Sequence, residues 1–267
     1  MPATTLIQTE RDALMLLGLL AYGHTRFDVP VAYPGESAPS HVLGLNIFAA
    51  LVDNVDGELL ALERNTIHAD GSPLQHGEQR ALRTAIARVS AKRPRLPAQA
   101  IEGYYRSSMF MGPGSTPEDL LNAGATLYTT LEPCPMCASS ALVARVKRVC
   151  FLLADAKYGG AWPLLKEKFY DKDEAVYGPL VLAADASPFA ARVAELHGRV
   201  LAKTAEWRAQ GTRDTLLLDG CRPEMEQAFS LLLGLKKSDL ASVDGQESRN
   251  ATTLLQVQRA LGMPWAA

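Results

Sequence analysis

The sequence predicts an α/β sandwich built on one central sheet. Three observations carry that expectation. A β-hairpin pattern stands near the front of the chain, helical periodicities then alternate with short apolar runs, and the last two such runs are joined by a helix-forming segment. The final connection favours parallel pairing of those two strands.

The elements follow in order. The apolar run ALMLLGLLAYG, residues 13 to 23, predicts a helix over roughly 10 to 22, with Thr9 as N-cap, Asp12 in the first turn and Gly23 as the stop. Residues 24 to 44 hold three prolines and two glycines and read as a connection. In LNIFAALVDNVDGELLALERN, residues 45 to 65, two apolar runs flank Asp56-Gly57, a hairpin signal. Leu82, Ala85, Ile86 and Val89 share one helical face, so 77 to 91 is a helix. Residues 93 to 122 read as an insert with a short helix near 117 to 122. ATLYTTL at 125 to 131 is a buried strand, CPMCASSALVARV a helix and KRVCFLLA a second strand. WPLLKEKFY predicts a helix, GPLVLAA a strand near 179 to 184, and the chain after Ala186 is helical.

Composition narrows the function. The chain has 267 residues, 48% of them apolar, enough for a sizeable core. A net charge of −2 and a pI near 6.2 argue against a nucleic-acid backbone as the main partner, leaving room for a local basic patch. The first apolar run is too short to span a bilayer, and Glu10 and Asp12 stand where a cationic leader would be. The expectation is a soluble, cytoplasmic protein with no membrane partner. Of four cysteines, Cys134 and Cys137 form a C-x-x-C, a metal or redox pattern in a cytosolic protein. Cys150 reads as a core thiol, and Cys221 has no assigned role.

Two stretches carry chemistry. In SPLQHGEQRAL, residues 72 to 82, His76 and Glu78 are two apart and cannot share a helix face. In TLEPCPMCASSAL, residues 130 to 142, Pro135 sits just inside a helix start, and Cys134 and Cys137 are about one turn apart. A helix N-terminus favours thiolate. Two thiolates and the His76 imidazole give Zn²⁺ three protein ligands and leave a fourth position for water, as in catalytic sites. Glu78 then stands beside the metal as general acid and base. A redox C-x-x-C would leave His76 and Glu78 without a role.

H-x-E…P-C-x-x-C is the pattern of the zinc nucleobase deaminases. On these motifs the chain resembles the cytidine deaminase-like superfamily, in the branch of cytosine deaminase, guanine deaminase and tRNA adenosine deaminase. TLYTTL and His76-Gly77-Glu78 are similar to fungal cytosine deaminase, whereas LEPCPMC and ADAKYGG, residues 154 to 160, are similar to the guanine and tRNA enzymes. The resemblance implies a three-layer α-β-α sandwich with a mixed five-stranded sheet. It implies a deaminase domain over 1–185, with the insert inside it, and a helical C-terminal extension over 186–267. It also implies Asn65 and the backbone N–H groups of Gly77 and Cys134 as substrate contacts, with Asp155 bordering the pocket and a homodimer. One departure concerns the first strand: the family has Pro-Val-Gly or Pro-Ile-Gly where this chain has Asn46-Ile47-Phe48. Phe48 there would fill space or stack on a ring. Tyr104, Tyr105, Phe110 and Trp162 are either a lid or packing.

The expected function is zinc-dependent hydrolytic deamination of a small amino-heterocycle. A tRNA or other nucleic-acid deaminase is the alternative. A zinc-stabilised scaffold is a third reading, and Glu78 argues against it because a structural site needs no such carboxylate.

Overall fold

A computed structural model describes residues 3–26, 47–67, 70–92, 124–144, 146–161, 164, 176–183, 187–210, 220–240 and 249–263. The elements run α1 (Ala3–Arg26), β1 (Phe48–Asp53), β2 (Leu59–Arg64), α2 (Gly77–Lys92), β3 (Ala125–Leu131), α3 (Pro135–Val143), β4 (Arg148–Leu153), β5 (Val176–Pro179), α4 (Pro188–Ala209), α5 (Arg222–Gly234) and α6 (Arg249–Ala260). The sheet order is β2-β1-β3-β4-β5. β1 runs antiparallel to β2 and β3, while β3, β4 and β5 are parallel. This is a mixed five-stranded sheet, as the resemblance implies.

Alternation along the strands loads both faces of the sheet. Ala49, Leu51, Leu127 and Val149 point to one side, where they meet Ala81, Leu82 and Ala85 of α2 and Ala138, Ala141 and Leu142 of α3. Phe48, Ala50, Val52, Tyr128 and Leu152 point to the other, into α1. From Ala13 to Ala21 α1 is apolar on all sides because α4, α5 and α6 close over its outer surface; Leu14, Leu16, Leu17 and Leu20 are all fully buried.

The hairpin and α2 fall where the sequence places them, and β3 matches its predicted range residue for residue. Two expectations need correction. α1 runs through both of its predicted ends. Thr9 is buried, and Asp12 leaves the first-turn role to accept from both Arg148 guanidinium nitrogens at 3.0 and 3.1 Å and from the Tyr128 hydroxyl at 2.6 Å. Gly23 packs inside the helix, where an added Cβ would stand 2.8 Å from Met225 Sδ and 3.0 Å from the Phe48 ring.

The last strand lies earlier than predicted, opposite Arg148–Phe151 of β4, and ends at Pro179. Its position is set by pairing with β4 rather than by the apolar run behind it; Val181 is exposed. The insert over 93–122, most of the predicted helix at 162–170, and the aromatic residues Tyr104, Tyr105, Phe110 and Trp162 lie outside the described residues. No helix among the described residues is long and apolar enough to cross a membrane.

Candidate active site

The site is built where β3 ends and two helices begin. Glu132 continues the β3–β4 pairing by donating its N–H to Leu153 O at 2.8 Å. Pro133 follows, and Cys134 is the extended N-cap of α3, with φ −64° and ψ 168°. Its side chain makes no cap hydrogen bond, so the thiol is left for other work. Pro135 opens the helix at a position where a missing N–H costs nothing. One turn in, Cys137 is fully buried.

Across from α3, the His76 carbonyl accepts from Arg80 N at 3.0 Å, so His76 caps α2 and Gly77 is its first residue. Gly77 has a packing reason. A Cβ there would lie 2.9 Å from Ile47 O and 3.4 Å from Asn65 N, and Asn65 N itself donates to Ile47 O at 2.9 Å. Only a residue without a side chain lets the α2 N-terminus seat this close to the ends of β1 and β2. Gln79 then fastens α2 to α3, its Nε2 donating to Ser140 Oγ at 2.6 Å and to Met136 O at 3.2 Å.

His76, Cys134 and Cys137 come together. One ligand atom from each lies within 4.8 Å of the others, and Cys134 Sγ is 3.7 Å from His76 Nδ1. Tetrahedral zinc, with Zn–S about 2.3 Å and Zn–N about 2.0 Å, has an S···N edge of about 3.5 Å. The donor set and its spacing fit zinc. The hydrogen bond from the Cys137 thiol, helped by His76, holds the Cys134 thiol down to about 4 against the effect of burial. Cys137 moves the opposite way for the same reason, as the donor of that bond, with burial adding to it. The bond to Cys134 also raises the His76 imidazole. One thiolate is therefore already favoured, and the imidazole faces it.

Glu78 is 2% exposed, and its Oε2 has no hydrogen-bond partner among the described residues. Burial pushes its carboxyl up to about 7, with His76 and the Cys137 thiol pulling the other way. A buried carboxylate oxygen without a donor is costly to keep in a folded chain, and such groups concentrate at functional sites.

The remaining candidates separate. Asn65 is buried at the end of β2, and its Oδ1 accepts from Ile67 N at 2.9 Å, an Asx turn. Phe48 does not reach the cluster; its ring is buried under α1, edge-on to Tyr22 with centroids 5.5 Å apart. Asp155 organises its own loop, Oδ1 accepting from Lys157 N at 2.8 Å and Tyr158 N at 3.0 Å.

Sequence reasoning passed over Glu132, Gln79 and Tyr177. Glu132 accepts from Gly160 N, Asp155 N and the Tyr177 hydroxyl. The available signal was a charged residue wedged between a buried strand and a proline.

Residues 38–153 match the cytidine and deoxycytidylate deaminase zinc-binding region. A segment of 61 residues is 46% identical to the tRNA-specific adenosine deaminase of Bacillus subtilis, covering 21% of this chain and 38% of that protein. A segment of 133 residues is 31% identical to the tRNA(Ile)-lysidine synthase of Deinococcus deserti, covering 46% of this chain and 20% of that one. The chain thus spans well under half the length of either curated relative. Among solved structures, the guanine deaminase from Nitrosomonas europaea is similar at 16% identity over 57% of this chain and 73% of that one, with a TM-score of 0.36.

Proposed function

We propose, on the match of residues 38–153 to the cytidine and deoxycytidylate deaminase zinc-binding region, that this chain is a hydrolytic deaminase of a small amino-heterocycle, replacing an exocyclic amine by oxygen and releasing ammonia. One observation carries the reading. A buried carboxylate, Glu78, with an oxygen unpartnered among the described residues, stands within electrostatic reach of a three-residue set that fits zinc.

His76, Cys134 and Cys137 hold the metal. Zinc bound there supplies Lewis acidity and brings the pKa of a coordinated water toward neutrality. The protein's own part is proton transfer. Glu78 Oε2 takes the proton of the attacking water and delivers it to the ring nitrogen next to the amine-bearing carbon. The carboxylate then takes the remaining proton from the hydroxyl added to that carbon and gives it to the amino group as the C–N bond breaks, leaving a carbonyl and free ammonia. Its depth in the fold keeps bulk water from competing for that proton. Asn65 keeps Oδ1 in its turn and offers its amide nitrogen to the ring, while the N–H groups of Gly77 and Cys134, at two helix starts, suit a carbonyl of the base.

A second reading has its own support. The 46% identity of one segment to a tRNA-specific adenosine deaminase favours a heterocycle presented within RNA. The net charge of −2 favours the free small molecule. The test is ammonia release by the zinc-loaded full chain from cytosine, guanine, adenine, their nucleosides, pterins, triazines and a tRNA anticodon stem-loop. Turnover of a free heterocycle supports the first reading. Turnover of the stem-loop alone, falling steeply with added salt, replaces it by the second.

A further inference from the structure

One buried carboxylate beside the site takes no part in the proposed proton transfers. Glu132 is 8% exposed and stands two residues before Cys134. Its Oε1 accepts from Gly160 N at 2.7 Å and from the Tyr177 hydroxyl of β5. Its Oε2 accepts from Asp155 N at 3.2 Å. A Cβ on Gly159 would fall 2.2 Å from Oε2, so the loop carries glycine where the carboxylate enters. The loop is otherwise closed on itself, through Asp155 Oδ1 and through Gly159 N donating to Asp155 O at 3.0 Å. One side chain just past the end of β3 therefore gathers both ends of the 155–160 loop and the tyrosine of β5.

Burial, the bond to Glu132 and the nearby carboxylates of Glu132, Asp155 and Glu78 all push the Tyr177 phenol upward, so Glu78 is near enough to act on Tyr177 electrostatically. The residue type is also telling. Three donors converge on Glu132, and an ionised carboxylate is the side chain that only accepts. Glutamine has the same shape but would turn an NH₂ toward one of those donors.

We propose that Glu132 is a positioning residue that latches the 155–160 loop to the Cys134 turn, so that the loop stands as a fixed wall of the substrate site. The words "substrate site" rest on the deaminase reading; the latch does not.

The test compares the full-length wild type with Glu132→Gln, Glu132→Ala and Tyr177→Phe. In Glu132→Gln, the amides of Gly160 and Asp155 exchange with deuterium about tenfold faster or more, while amides within β3 and β4 keep their rates. Zinc content is unchanged. KM for the active heterocycle rises about tenfold, with kcat within about threefold, because the loop holds substrate and does not touch the reacting proton. Tyr177→Phe leaves both loop amides bonded and shows a smaller change, which keeps the comparison readable should Glu132→Ala fail to fold. Wild-type exchange at Gly160 and Asp155 in Glu132→Gln overturns the proposal, as does a loss of kcat together with zinc at constant KM. A wild-type chain that releases no ammonia from any compound sinks the deaminase reading alone, because the exchange comparison needs no substrate.

Discussion

At the scale of single residues, the site depends on groups whose chemistry allows few substitutes. Glu78 is one: it is a buried carboxylate beside His76, Cys134 and Cys137, and the proposed proton transfers rest on it. Glu78→Ala is expected to keep zinc and to lose about 10²–10⁴-fold in turnover. Metal analysis and ammonia release on the same sample check both halves. Cys137→Ser is expected to lose zinc outright, because a hydroxyl stays protonated where a thiolate ligates; metal content after dialysis reads this directly. Gly77→Ala puts a Cβ 2.9 Å from Ile47 O, so it should destabilise the chain by about 1–3 kcal/mol, seen as a lower urea midpoint. Unchanged stability there would mean that the α2 start can retreat from β1 without loss.

The convergence of His76, Cys134 and Cys137 was legible in the sequence because their types and spacing admit few other uses. Phe48, Asp155 and Asn65 were less so. Their roles turn on side-chain direction, and only the fold shows Phe48 turned under α1 or Asp155 folded onto its own loop. Glu132 stayed hidden for a related reason, since its three donors come from β5 and a loop more than twenty positions away.

At the scale of elements, legibility followed how locally each element is determined. The β1–β2 hairpin turns on Asp56-Gly57, and α2 on its own periodicity, so both could be read from short windows. β5 could not. A four-residue parallel edge strand takes its position from β4, and Val176–Pro179 has no alternation of its own to announce it. The ends of α1 were hidden because residues that look like caps serve tertiary contacts. Asp12 is the clearest case. Its carboxylate, 8% exposed, pairs with Arg148, 17% exposed, beneath α1. Asp12→Ala would leave a buried guanidinium without its partner, at an expected loss of about 3–5 kcal/mol. Replacing Asp12 and Arg148 together by apolar residues should recover part of that loss, and a chemical denaturation series on the single and double variants measures it. A loss no smaller in the double variant would show that the pair is not what joins α1 to the sheet.

At the scale of the whole molecule, the C-terminal helices are part of the core that supports the site. α1 lies between the sheet and α4, α5 and α6, and residues such as Leu14, Leu17 and Leu20 have no solvent-facing side. A chain cut after residue 186 would uncover that helix. It is expected to aggregate or to bind a hydrophobic dye where the full chain does not, which static light scattering and dye fluorescence would record. Helical periodicity after Ala186 was plain in the sequence, but its target was not, because an amphipathic face does not name the surface that it covers.

In the proposed reaction Glu78, beside zinc held by His76, Cys134 and Cys137, drives hydrolytic loss of ammonia. The most direct test measures zinc content and ammonia release together, on the full-length chain and on Glu78→Ala, across free heterocycles and the anticodon stem-loop. The expected result is about one zinc per chain in both proteins and ammonia from the wild type alone. Equal release by zinc-loaded Glu78→Ala, or release by a wild type stripped of zinc, would contradict it.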